Sequence, residues 1–178
     1  MKTRQLCYTA LFAALTAVCS QLAIPTPWQI PISMSTLAVF LSGALLGAKW
    51  GTLAQAVYLL LGLVGVPVFA GFRGGFQVLA GPTGGYLIGY LAAAALTGLL
   101  ISRVRTRWMP PVAMVVGLAA CYAFGTAWFV ILNQTPFGAA LGMCVLPYLP
   151  GDALKIVAAT LITWSMGALR LSEPSTCV

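Results

Sequence analysis

In the segment PYLPGDALK an aspartate and a lysine, Asp152 and Lys155, stand three residues apart behind Pro150 and Gly151. That pattern predicts a helix start, and the i,i+3 spacing puts both charges on one face of it. A carboxylate in a first turn is favoured by the helix dipole, so a local ion pair is the plain structural reading. The functional reading is a ligand site in which the carboxylate accepts from N–H groups and the ammonium meets an anion. It gains weight because Asp152 is one of only two acids in the chain, the other being Glu173 in the tail. A charged pair at the edge of a lipid-embedded segment is a candidate site by default.

The second group of candidates is GFRGGFQVLAGPTGGY, Gly71 to Tyr86, with six glycines, Arg73 and Gln77 between strongly apolar segments. It is no nucleotide loop, because a phosphate-binding loop needs a lysine after its last glycine and a preceding strand. Residues without a Cβ let peptide groups approach a ligand closely, and Gly74, Gly75, Gly81, Gly84 and Gly85 are read that way. Thr83 is expected to cap the helix that follows Pro82. Gly75, Gly81, Thr83, Tyr86 and Arg73 join Asp152 and Lys155 as the expected ligand-binding set. Trp28, Phe69, Phe72, Phe76, Tyr86, Trp128 and Tyr148 frame the region as interfacial belt residues or pocket walls.

Catalysis and metal binding find no support. There is no histidine, no pair of membrane acids, and no serine or cysteine with a visible base. The five cysteines, Cys7, Cys19, Cys121, Cys144 and Cys177, form no CxxC pair. No cofactor and no metal are expected.

The elements that must position these residues follow from composition. Of 178 residues 61% are hydrophobic and 6% charged, against about 25% charged in ordinary soluble domains. The apolar runs are continuous rather than alternating, which predicts membrane helices and not a barrel. Six spans are drawn over residues 6–24, 33–48, 52–66, 83–102, 112–132 and 151–169, in one transmembrane domain covering 1–178. The second and third are short against the roughly 20 residues of a typical span and are joined by a tight turn at GAKWG. The basic N-terminus and its apolar run are read as a retained first helix rather than a cleaved signal.

Nine Lys and Arg residues lie at the ends of apolar runs, which writes topology rather than nucleic-acid binding. With the N-terminus inside, Lys2, Arg4, Lys49, Arg103, Arg105, Arg107 and Arg170 fall on the inner side; Arg73 lies outside, and Lys155 near the start of the last helix. Both termini are therefore expected in the cytoplasm. The outer loops PTPWQIPISM, Gly71–Tyr86 and NQTPFGAALGMCVLPYLPGD are the longer ones, expected to fold over a cavity. On helix 1, Ala10 and Ala14, and likewise Ala13 and Ala17, are four apart, a small-residue strip on which another helix packs closely. Spacing alone leaves partner docking and packing inside the bundle equal.

The stretches GLVGVPVFAGFRGGFQVLAGPTGGYLIGY and LPYLPGDALKI together resemble the BioY family, the biotin-specific substrate-binding (S) components of energy-coupling factor (ECF) transporters. STLAVFLSGALLGAKWGTLAQAVYLLLGL is similar to that family's second and third helices, so the likeness runs from about Ser35 to Ile156. The resemblance implies a six-helix protein of the bacterial cytoplasmic membrane that takes biotin from outside. Its partners would be a transmembrane T component and two cytoplasmic ATPases. It also implies that Asp152 accepts from the ureido N–H groups with Lys155 beside it, and that Ala10 and Ala14 dock the T component. Which cation meets the biotin carboxylate, Lys155 or Arg73, stays open at this level. An S component for another vitamin and a membrane-structural protein without a ligand remain the alternatives.

Overall fold

The computed structural model describes residues 3–24, 32–104, 106 and 108–166. Lys2, Trp28, Arg105, Arg107, Arg170, Glu173 and Cys177, and most of PTPWQIPISM, lie outside the described residues. The chain runs α1 (Thr3–Gln21), β1 (Ala23–Ile24), β2 (Ile32–Ser33), α2 (Ser35–Leu63), α3 (Phe76–Ala80), α4 (Gly84–Arg103), α5 (Met109–Asn133), α6 (Phe137–Cys144) and α7 (Leu149–Ser165). The two strands pair antiparallel, Ala23 opposite Ser33 and Ile24 opposite Ile32.

Among the described residues α2, α4 and α5 are long and apolar enough to cross a membrane. The pair α6 and α7, bent by 53° across its break, makes a fourth if it is one span. α1 dilutes its apolar residues with Thr9, Thr16 and Ser20, whose hydroxyls donate to carbonyls of their own helix.

α2 is not one straight rod. Gly47 breaks it at φ 78°, ψ 176°, a region open essentially to glycine alone. Beyond the break the chain doubles back: Gln55 Nε2 donates to Ser42 Oγ at 3.0 Å. In a continuous helix those residues would be about 20 Å apart. The close return needs Gly51 as well, where a Cβ would sit 2.7 Å from the Ser42 carbonyl oxygen. The turn expected at GAKWG is therefore present, with the two arms of α2 lying side by side.

α4 is the central element, with α2 on one side and α5 on the other. Ala93, Ala94 and Thr97 are fully buried along it. Gly43 of α2 lies against the Ala94 backbone, and Gly117 of α5 against Ala93 and Thr97. Small residues at these crossings let backbones approach closely, which dispersion rewards where lipid gives little hydrophobic drive. A polar clasp adds to this: buried Gln55 also donates to Thr16 Oγ1 of α1 at 3.2 Å. The outer surface is greasy, with Leu11 60%, Ile131 75% and Leu154 72% exposed.

Two segments expected as irregular loops contain helix. FQVLA of the glycine-rich stretch forms α3, and FGAALGMC forms α6. Gln77, Leu79 and Ala80 of α3 and Ala139, Ala140, Leu141 and Met143 of α6 are good helix formers, and Pro136 precedes the first turn of α6.

Candidate functional site

The first two turns of α7 present Asp152 and Lys155 on the inward face, only 4% and 7% exposed. Lys155 Nζ lies 2.7 Å from Asp152 Oδ1 and donates to the Ser33 carbonyl oxygen at 2.6 Å. Thr36 Oγ1, at the start of α2, donates to Oδ1 at 3.3 Å. Tyr122 OH of α5 donates to Oδ2 at 2.5 Å. The carboxylate is thus held from three helices, and the ammonium spends two of its three donors on this cluster. Removing two charges from water costs several kcal/mol per ion unless each is paired and hydrogen-bonded, which this cluster supplies.

In front of the pair lies an open cavity, whose empty space of about 540 Å³ includes its solvent-facing mouth. Tyr58 of α2 and Tyr86 and Tyr90 of α4 form one wall, and Ser33 and Ser35 add hydroxyls 3.0 Å apart. The segment after α2 closes the other side with Phe69, Ala70, Arg73 and Val78. Phe69 meets Tyr58 edge-on, ring centroids 5.5 Å apart, and its ring lies where any side chain at Gly62 would stand.

The ion pair does not itself line this cavity. It stands directly behind the wall, joined through two residues. Ser33 lines the cavity and accepts from Lys155. Tyr86 lines it and packs edge-on against Tyr122, 6.5 Å between centroids, whose hydroxyl holds Asp152.

Of the expected binding residues, Arg73, Thr83 and Tyr86 line the cavity, with Asp152 and Lys155 one layer behind. Gly75 and Gly81 are not among the lining residues. Gly75 takes φ 94° before α3 and donates its N–H to the Gly62 carbonyl, while the Gly81 carbonyl accepts from Trp128 Nε1 at 3.0 Å. Thr83 stands at the N-cap of α4 without capping it; its hydroxyl donates instead to the Val78 carbonyl at 3.3 Å. Among the framing aromatics, Phe69 and Tyr86 are wall residues, whereas Phe72 and Phe76 point outward. Tyr148 is buried and Trp128 anchors Gly81.

Sequence reasoning missed Tyr58, Tyr90, Tyr122 and the serines. A signal for the tyrosines was available. Belt tyrosines sit at the ends of spans, and these three lie inside apolar runs, where a hydroxyl needs a partner within the protein.

The profile of the BioY family matches residues 1–170. The chain belongs to the BioY family. "Biotin transporter BioY" of Thermotoga maritima is 40% identical over 172 residues, covering 96% of both chains. "Biotin transporter BioY" of Rhodobacter capsulatus is 35% identical over 185 residues, 95% of this chain and 96% of that one. Among solved structures, the crystal structure of the S component for biotin from an ECF-type ABC transporter superposes with a TM-score of 0.86 at 26% identity. That match covers 94% of this chain and 92% of the other. The fold of this BioY-family chain is thus that of an S component, and the BioY relatives named here are transporters rather than enzymes.

Proposed function

We propose that this chain is the biotin-binding S component of an ECF-type transporter in a bacterial cytoplasmic membrane. The observation that carries it is the buried Asp152–Lys155 pair set behind an aromatic and hydroxyl-lined cavity. Biotin combines a compact, largely apolar bicycle, ureido N–H donors and a carboxylate. The bicycle packs on Tyr58, Phe69 and Tyr86, as aromatic walls favour. The ureido N–H groups reach the acceptors at the back, the serine hydroxyls and, with Tyr122 and Ser33 giving way, Asp152. Arg73 at the mouth meets the carboxylate, since its guanidinium has no carboxylate partner among the described residues while Lys155 is already engaged.

Each arm of α2 serves as its own span in this reading. With α1, α4, α5 and α7 that makes six, and both termini lie in the cytoplasm. Ala10 and Ala14 are exposed on α1 whereas Ala13 is buried, so the two readings that spacing left equal suit different faces of α1. The exposed strip suits a T component, which with two ATPases supplies the energy. Equilibrium binding of radiolabelled biotin to the purified protein tests the assignment, with unlabelled biotin and other vitamins as competitors. Saturable binding displaced by biotin is expected; displacement by a different vitamin alone would move the substrate, and no binding of any of them would end the S-component reading.

A further inference from the structure

The cavity wall formed by residues 67–73 is held in place from the last turn of α1. Ser20 Oγ donates to the Val68 carbonyl. Gln21 Nε2 donates to the carbonyl oxygens of Pro67 and Phe69, each at 3.2 Å, and Gln21 Oε1 accepts the Phe72 N–H at 3.0 Å. One amide therefore ties three points of a short segment, using both donors and an acceptor. The segment so tied carries Phe69, Ala70 and Arg73 into the cavity wall.

The tie acts on strained backbone. Phe72 has φ 56°, a left-handed conformation that bulky residues rarely adopt. Its ring is 73% exposed, so side-chain burial does not hold it there. Such strain persists where surrounding contacts over-determine it, and the Phe72 N–H is the group that Gln21 accepts from. The Phe69–Arg73 backbone pair closes this turn from within, and the amide of Gln21 is the contact that fixes the turn to α1.

We infer that Gln21, assisted by Ser20, is a latch that holds the 67–73 segment over the cavity and sets the rate of ligand exchange. Gln21 is a positioning residue, not a ligand contact, and the inference rests on the reading that the cavity takes biotin. Two variants of the full chain test it: Gln21→Met, which keeps length and helix propensity, and Ser20→Ala. Amide hydrogen exchange over 67–75 is followed without ligand, and biotin association and dissociation rates are measured by chase. Gln21→Met is expected to speed exchange at Phe72 and to raise biotin dissociation roughly tenfold. The association rate rises in the same direction, so affinity changes less than either rate; Ser20→Ala does the same more weakly. A lost ligand contact would raise dissociation alone, and that result overturns the latch. Unchanged amide exchange at Phe72 overturns it as well. Were the unaltered protein not to bind biotin, the substrate assignment would fail while the ligand-free exchange still decided the latch.

Discussion

The Asp152 carboxylate receives Lys155 from its own helix, Thr36 from α2 and Tyr122 from α5. Asp152→Asn keeps the size but removes the charge and turns one acceptor into a donor. Two effects then superimpose. A ligand N–H left without its acceptor in a dry site costs roughly 1–3 kcal/mol, about tenfold to a hundredfold in affinity. The Lys155 ammonium also loses its counter-charge, and breaking a buried pair costs roughly 3–5 kcal/mol of stability. The double variant Asp152→Asn with Lys155→Met separates them: thermal stability is expected to recover over the single variant, and biotin affinity is not. Normal biotin binding by folded Asp152→Asn would remove Asp152 from the site. The carboxylate end is read by comparing biotin with biotin amide. Arg73→Ala should weaken biotin roughly tenfold and leave the amide unaffected, whereas Lys155→Ala should weaken both alike; the reverse pattern would exchange the two cations.

At the scale of elements, Gly47 decides whether α2 is a rod or a hairpin. Its φ and ψ lie where an L side chain is strained by roughly 1–3 kcal/mol, so Gly47→Ala should lower the melting temperature measurably. An unchanged value would mean that the turn tolerates another conformation. This hairpin was legible from GAKWG, because glycine on both sides of a lysine interrupts an apolar run in a way few other structures explain. α6 was not legible. Its eight residues are too few for a span, and the Pro and Gly in and around it outweighed the helix propensity of Ala, Leu and Met. The site divides in the same way. Asp152 and Lys155 stood out because charge is rare in this chain, and the cluster around them confirms that rarity marked something buried. Tyr58, Tyr90 and Tyr122 did not stand out, because both the lipid-facing and the core-facing sides of these helices are apolar. A hydrophobic period identifies the buried face only when the other face is polar.

The molecule as a whole has a polarity along the bundle axis. Gly98 of α4 lies against Gly47 and Ala48, so Lys49 and Arg103 share one end. The last turn of α1 meets the 67–73 segment, which places Arg73 at the other end and Arg4, about 25 Å of helix away, back with Lys49. Arg4, Lys49 and Arg103 at one end, against Arg73 and the buried, paired Lys155 toward the other, favour the Lys49 end as cytoplasmic. In intact cells a membrane-impermeant thiol reagent should label Phe72→Cys and spare Lys49→Cys, with the native cysteines replaced; the opposite pattern would invert the protein.

On the face of α1 turned away from the bundle, Ala10 and Ala14 expose a strip beside Cys7 and Leu11, while Ala13 and Thr16 pack inward. A partner helix in lipid gains mainly close contact, and alanine four residues apart permits it. Tryptophan at both positions blocks such an approach without entering the core, because the strip is exposed in the isolated chain. The Ala10→Trp, Ala14→Trp variant is therefore expected to bind biotin with unchanged affinity yet fail to co-purify with the T component and ATPases and to support energised uptake. Loss of binding along with assembly would mean that the strip packs internally, and normal assembly with both tryptophans in place would place the partner on another face.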